Sequence, residues 1–257
     1  MIYCRREVVD AMALYTRKFD IIVVGAGHAG CEAALAAARM GCSVLLVVID
    51  LDKVAAMPCS PSIGGMAKGQ LVKEIDALGG VMAHVTDQTA IQYRTLNTKK
   101  GPAVHSTRTQ NDKARYHAVM KHLLEKTPNI ELKQALIERL VVENGAVVGV
   151  VDQTGFGYRA EAVVLAAGTF MRGLVHIGHT SFQAGRAGEF ASYALPEQLH
   201  ALGFEMGRMK TGTPPRLRRA SIDFSRFAIQ AEQTVGRPFS RLTRAPTMPQ
   251  LPSYIGH

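Results

Sequence analysis

The sequence predicts an α/β fold built on a Rossmann-like, dinucleotide-binding sheet, and three observations carry that expectation. A continuous apolar run over residues 20–24 ends in glycine. A GxGxxG pattern at Gly25, Gly27 and Gly30 then opens an alanine-rich stretch, AGCEAALAAARMG, and a second apolar run, SVLLVV, follows it. Strand, glycine turn, helix and strand within about 30 residues is the context in which GxGxxG acquires meaning.

Each element follows from its residues. Residues 20–24 read as a buried parallel strand, because an uninterrupted apolar run has no solvent-facing side. The alanine-rich segment is a helix halted by Gly41. In such a turn the first glycine permits a tight bend and the second lets main-chain N–H groups approach a pyrophosphate. The third lets the helix pack close to the strand, and the helix N-terminus faces the phosphate charge. Asp50 stands 20 positions after Gly30, the spacing at which an acidic residue holds a ribose hydroxyl. A turn or capping role within IDLDK fits Asp50 equally well.

Residues 103–126 are expected to be helical, up to the break at Pro128. The stretch from Asn129 to Phe170 reads as short strands, with ENGA as a hairpin turn and AEAVVLAAG as a final buried strand. A parallel unit, then a β-meander, then a strand returning to the sheet is the order of a glutathione-reductase-type, FAD-binding fold; a plain NAD domain keeps alternating strands and helices. On that architecture Ile137 offers backbone groups to an adenine edge while its side chain serves the core, and Gly168 lets the chain pass close to the cofactor. From Gly203 the texture becomes basic and turn-rich, and Pro214 and Pro215 mark a boundary. The expected organisation is an N-terminal extension (1–18, with Met12 a possible start), an FAD-binding domain (19–214) and the start of an inserted substrate or NADH domain (215–257).

Composition narrows the class. The 257 residues are 47% hydrophobic and carry a formal net charge of +9, which favours polyanionic partners such as nucleic acid. Residues 205–257 contribute nine Lys or Arg against three acids, although a solvated basic surface reads the same way. Cys4, Cys31, Cys42 and Cys59 form no CxxC pair and no ligand spacing with His, so neither a zinc site nor a disulfide framework is expected. No apolar run reaches the roughly 18–20 residues of a membrane span and no secretory leader is evident, so a cytoplasmic protein is expected.

Taken together, VVGAGHAGCEAALAAARMG, MPCSPSIGGMAKGQLVKEIDALGG, NTKKGPAVHSTRTQNDKARY, VVLAAGTF, GRAGE and KTGTPPR resemble the MnmG/GidA family, from about Phe19 to Tyr254. The resemblance implies an FAD-dependent enzyme that, with an MnmE-type GTPase, installs a carboxymethylaminomethyl group on the wobble uridine of tRNA. It places the FAD loop on Gly25, Ala26, Gly27, His28, Ala29 and Gly30, and two further FAD contacts on Ile137 and Ser192. Within the loop His28 serves as a local donor or packing group. The implied chemistry takes a one-carbon unit from methylenetetrahydrofolate, uses NADH as reductant and proceeds in a homodimer.

Cys59 matches the first of two cysteines important in the family. A thiol there could add to C6 of uridine or protect a flavin adduct, favoured by the following helix and by Lys68 if that lies close; a small residue filling a tight turn is the other reading. Family proteins are far longer, and this chain stops inside a segment resembling PCYITHTN, where Ser253 and Gly256 replace the usual Cys and Thr. The second cysteine motif, the C-terminal glycine-rich segment and the helical region that meets tRNA and the GTPase fall outside it. The expectation is therefore of weak FAD binding and no tRNA modification by this chain alone. The alternatives are the folate-dependent tRNA uridine methyltransferase TrmFO, another flavin oxidoreductase, or an inactive FAD-binding fragment.

Overall fold

The structure, a computed structural model, describes residue 15 and residues 17–230 and 238–255. Cys4, Gly256 and residues 1–14 of the expected N-terminal extension lie outside the described residues. In chain order the elements are β1 (Phe19–Val24), α1 (His28–Arg39), β2 (Val44–Val48), β3 (Ser62–Gly64), α2 (Lys68–Ala77), α3 (Met82–Thr89) and β4 (Ala90–Leu96). Then come β5 (Ser106–Asn111), α4 (Lys113–Lys126), β6 (Ile130–Gln134), β7 (Ile137–Glu143), β8 (Ala146–Asp152) and β9 (Gly157–Leu165). The last are β10 (Leu174–Ile177), β11 (Thr180–Gln183), α5 (Ala194–Ala201), β12 (Ala228–Gln230) and β13 (Ser253–Ile255).

The chain forms two compact units, each drawn from two stretches of sequence: residues 1–54 with 123–209, and 55–122 with 210–257. The first unit is a Rossmann-type α/β layer around a six-stranded sheet of order β6-β2-β1-β9-β8-β7. The pairings β6·β2, β2·β1 and β1·β9 are parallel, and β9·β8 and β8·β7 are antiparallel. The meander and the returning strand are thus joined in β9, whose first residues pair with β8 and whose later ones pair with β1. The ENGA hairpin is as expected: Asn144 and Gly145 both take positive φ, +52° and +79°, the twist that lets adjacent strands fold back on each other.

Burial follows the apolar pattern in β2, where all of VLLVV is buried. It does not in β9: Glu161, Ala162 and Val164 are exposed, and of the expected buried strand AEAVVLAAG only Ala160 is buried. An apolar run shows that a strand is able to be covered, not which of its faces receives a layer. The core of this unit gathers Phe19, Ile22, Leu45, Ile137, Tyr158 and Leu195. Helix α5 closes onto the edge strand β7 through Gln198, whose side-chain amide accepts from the Leu140 N–H (2.6 Å) and donates to the Leu140 carbonyl (2.9 Å), as a neighbouring strand would.

The second unit carries the antiparallel sheet β3-β5-β4 with α2 and α3. Here the expected helix over 103–126 divides: residues 106–111 are the central strand β5, and helix begins only at Lys113. The reason is non-local. Thr107, Thr109 and Asn111 alternate into a polar interior, where Asn111 Nδ2 donates to the Thr86 carbonyl (2.9 Å) and Thr109 Oγ1 donates to Asn111 Oδ1 (2.8 Å). Asp112 then starts α4 by accepting from the N–H groups of Ala114 (3.0 Å) and Arg115 (3.1 Å).

Asp152 organises the turn between β8 and β9. Burial by itself raises its carboxyl, but hydrogen bonds from the hydroxyl and N–H of Thr154, the Tyr158 hydroxyl and the Phe156 N–H outweigh it and hold the group below the usual carboxylate range. The same contacts raise the Tyr158 hydroxyl, after burial. A carboxyl depressed by folding stabilises above its unfolded value, and that contribution is lost as pH falls through the lower folded value. Asp152→Asn is expected to destabilise the unit by about 1–3 kcal/mol at neutral pH and to flatten the acid limb of a denaturant-midpoint series measured from pH 7 downwards.

Candidate cofactor site and the Cys59 cluster

The first site lies at the carboxyl ends of β1 and β9, where β1 has a parallel neighbour on either side. The Gly25 N–H donates to the Val47 carbonyl and the Ala166 N–H to the Val24 carbonyl, both at 2.8 Å, so the loop leaves the sheet in fixed register. Gly25 stands at φ +102°, and a Cβ there would meet the Ala166 carbonyl; at Gly30 a Cβ would overlap the Gly25 carbonyl oxygen. Both positions therefore require glycine. Gly27 differs: its φ is −74° and an added Cβ would meet nothing within 4 Å.

Helix α1 opens over this space. No side chain caps its first turn, no acid occupies that turn, and its Cys31 N–H bonds back to the Gly27 carbonyl at 2.9 Å. An uncapped helix start behind open space at Gly27 fits an anionic group. His28, half-buried at the first helical position, is held below its ordinary range by burial and then by the Arg186 guanidinium. Both effects disfavour its charged form. Arg186 itself stacks over the Phe170 ring (4.9 Å to the centroid) and lies 3.5 Å from Glu189.

Ile137 and Ser192, 55 positions apart, meet: Ser192 Oγ donates to the Ile137 carbonyl at 3.4 Å. The Ser192 backbone also pairs with the segment after β9, its N–H donating to Phe170 (2.9 Å) and its carbonyl accepting from Arg172 (2.7 Å). The Ile137 side chain is buried in the core, as expected. Gly168 takes φ +58° in the intervening turn. Asp50 caps the short turn Leu51–Lys53 by accepting from the Asp52 N–H at 2.8 Å, which is the capping alternative.

Cys59 belongs to the second unit. Its Sγ donates to the Gly212 carbonyl at 2.7 Å, and Arg216 Nη2 donates to the carbonyls of Pro58 (3.2 Å) and Cys59 (2.8 Å). The cations in its electrostatic neighbourhood are Lys113 and Arg216. Sequence reasoning named Lys68 and missed this pair; nothing in their spacing links them to Cys59, and the only clue was that KTGTPPR and the Cys59 block occur in one set of motifs. Arg186, which acts on His28 from 158 positions away, was missed for the same reason. Among the described residues no cluster of His, Cys, Asp or Glu has the form of a metal site, and no helix is long and apolar enough to cross a membrane.

The family described as glucose inhibited division protein A matches residues 20–257. The chain belongs to the GidA family. Among curated relatives, the tRNA uridine 5-carboxymethylaminomethyl modification enzyme MnmG of Syntrophobacter fumaroxidans is 65% identical over 239 residues, covering 93% of this chain and 37% of the relative. The Geobacter sulfurreducens enzyme of the same name is 54% identical over 243 residues, 95% of this chain and 39% of the relative. The chain thus spans a little over a third of the length of these relatives. Aquifex aeolicus GidA superposes with a TM-score of 0.89 at 42% identity, over 95% of this chain and 42% of that one. The GidA-related protein from Thermus thermophilus gives 0.54 at 28% identity, over 73% and 69%. GidA-family membership makes the chain part of a family whose curated members are named tRNA modification enzymes.

A depressed histidine has a definite pH signature. Between the unfolded value, near 6.5, and the lower folded value, the unfolded chain binds the extra proton, so stability falls as pH is lowered through this window. Denaturant midpoints taken from pH 7.5 to 5.5 are expected to decline, and His28→Gln to reduce that decline.

Proposed function

We propose that this chain carries the FAD-binding portion of an enzyme that installs the carboxymethylaminomethyl group at C5 of the wobble uridine in tRNA. The observation that carries the reading is the 65% identity to a relative bearing that name; the glycine loop and uncapped helix add the physical fit. In this reading Gly25, Ala26, Gly27, His28, Ala29 and Gly30 hold the pyrophosphate of FAD, and Ile137 and Ser192 complete the cofactor wall. The chemistry supplied by bound FAD is redox and one-carbon transfer, with NADH as reductant and methylenetetrahydrofolate as donor.

The chain's own contribution is orientation and charge. The loop N–H groups and the α1 dipole hold two negative phosphates without a counterion. His28, held below its ordinary range, leaves that electrostatics to the backbone. Cys59 is the nucleophile: it loses its thiol proton as its sulfur bonds to C6 of the uridine, the electron-rich C5 takes up the one-carbon unit, and loss of the C5 proton then expels the thiolate and restores the ring double bond. The partners are tRNA, an MnmE-type GTPase and a second copy of the full-length protein, in the cytoplasm.

Gly27→Asp separates binding from folding. Its backbone suits any residue and its Cβ meets nothing within 4 Å, so the variant is expected to fold with unchanged circular dichroism yet to lose FAD affinity by tenfold or more, about 1.4 kcal/mol, in a flavin-fluorescence titration. Unchanged affinity would remove the loop from the cofactor site. In a full-length relative, serine at the cysteine matching Cys59 is expected to leave FAD bound and to abolish uridine modification in nucleoside analysis; retained modification would return Cys59 to packing.

A further inference from the structure

The surroundings of Cys59 hold more than a thiol. Three hydrogen bonds tie Pro58 and Cys59 to Gly212 and Arg216, more than 150 residues away in sequence: the Cys59 thiol to the Gly212 carbonyl at 2.7 Å, and Arg216 Nη2 to the carbonyls of Pro58 and Cys59 at 3.2 and 2.8 Å. Carbonyl oxygens carry no net charge, so these bonds fix the guanidinium without neutralising it. Covalent geometry keeps a cysteine sulfur within about 5 Å of its own carbonyl oxygen, which brings that positive charge into the thiol's immediate surroundings.

A second cation shares the site. Lys113, at the start of α4, is half-buried, and its ammonium is held below its ordinary range by burial and then by Arg216, with Cys59 acting in the opposite sense. Neither Lys113 nor Arg216 pairs with a carboxylate among the described residues. Two cations without a carboxylate partner, one of them held by its carbonyl bonds, repel each other and attract whatever anion reaches the gap.

We propose that Lys113 and Arg216 form an anion-accepting site beside the Cys59 thiol, which receives a phosphate or carboxylate group of the molecule that reacts there. The site rests on the proposed role of Cys59 for its purpose, but its test does not use turnover. Arg216 has two functions in it: it positions the Cys59 backbone through the carbonyl bonds, and it supplies half of the charge.

The test alkylates Cys59 in the whole chain with iodoacetate, an anion, and iodoacetamide, its neutral counterpart, and follows Cys59 by mass spectrometry. Both reagents form the same sulfur–carbon bond and release iodide, so the ratio of their rates cancels differences in exposure and thiol ionisation and reads local potential. Arg216→Gln and Lys113→Gln are each expected to lower the iodoacetate-to-iodoacetamide ratio by about two- to fivefold, while Arg216→Lys retains most of it. In the unaltered protein about 0.5 M salt should bring the ratio close to that of free cysteine. A ratio that ignores salt, or that survives both glutamine substitutions, overturns the proposal; the salt arm stands even where a variant fails to fold. Protection of Cys59 by a uridine trinucleotide alone assigns a nucleic-acid phosphate, protection by inorganic phosphate as well assigns any small anion, and protection by neither overturns the site. A serine variant that still modifies uridine while the ratio responds as described would refute the nucleophile and leave the anion site standing.

Discussion

Everything in the first unit depends on how closely helix α1 approaches the seam between β1 and β9. The Gly25 carbonyl lies where a side chain at Gly30 would have to be, and the Ala166 carbonyl lies where a side chain at Gly25 would have to be. Backbone packs on backbone at both points. Because the strands are also locked by parallel pairing from Phe19 to Val24, the helix start cannot retreat from the sheet. Its first turn, which no side chain caps, is thereby held beside the glycine loop, and the fit for an anion follows from packing without any acid in the turn.

The second unit is held by a different device. Asp87 accepts from the Tyr93 hydroxyl and the Phe239 N–H, both at 2.9 Å, and from the Ser240 N–H at 2.8 Å, while Asp76 accepts from the Arg241 N–H at 3.1 Å. Two buried carboxylates thus receive main-chain donors from a segment over 150 residues later. Charge-assisted bonds of this kind are stronger than neutral ones, and removing either partner strands a buried polar group. The closure has a functional consequence: the chain that returns to meet Asp76 and Asp87 is the same stretch, 210–257, that brings Gly212 and Arg216 to Cys59.

The sequence by itself determined the strand–glycine–helix–strand unit, the hairpin at Asn144–Gly145 and the family, because these depend on neighbours in the chain: steric demands at Gly25 and Gly30, the turn preference of Asn-Gly, and contiguous motifs. Local signals failed where partners are distant. Residues 106–111 look helical beside the helix that follows, and only pairing with β3 and β4, with the polar interior that satisfies Thr109 and Asn111, makes them a strand. Tertiary structure alone decided that residues 55–122 and 210–257 form one compact unit, that Ser192 meets Ile137, and that Arg216 and Lys113 come to Cys59. Spacing along a chain encodes turns and faces, whereas a cluster assembled from residues 59, 113 and 216 exists only after the loops between them have closed.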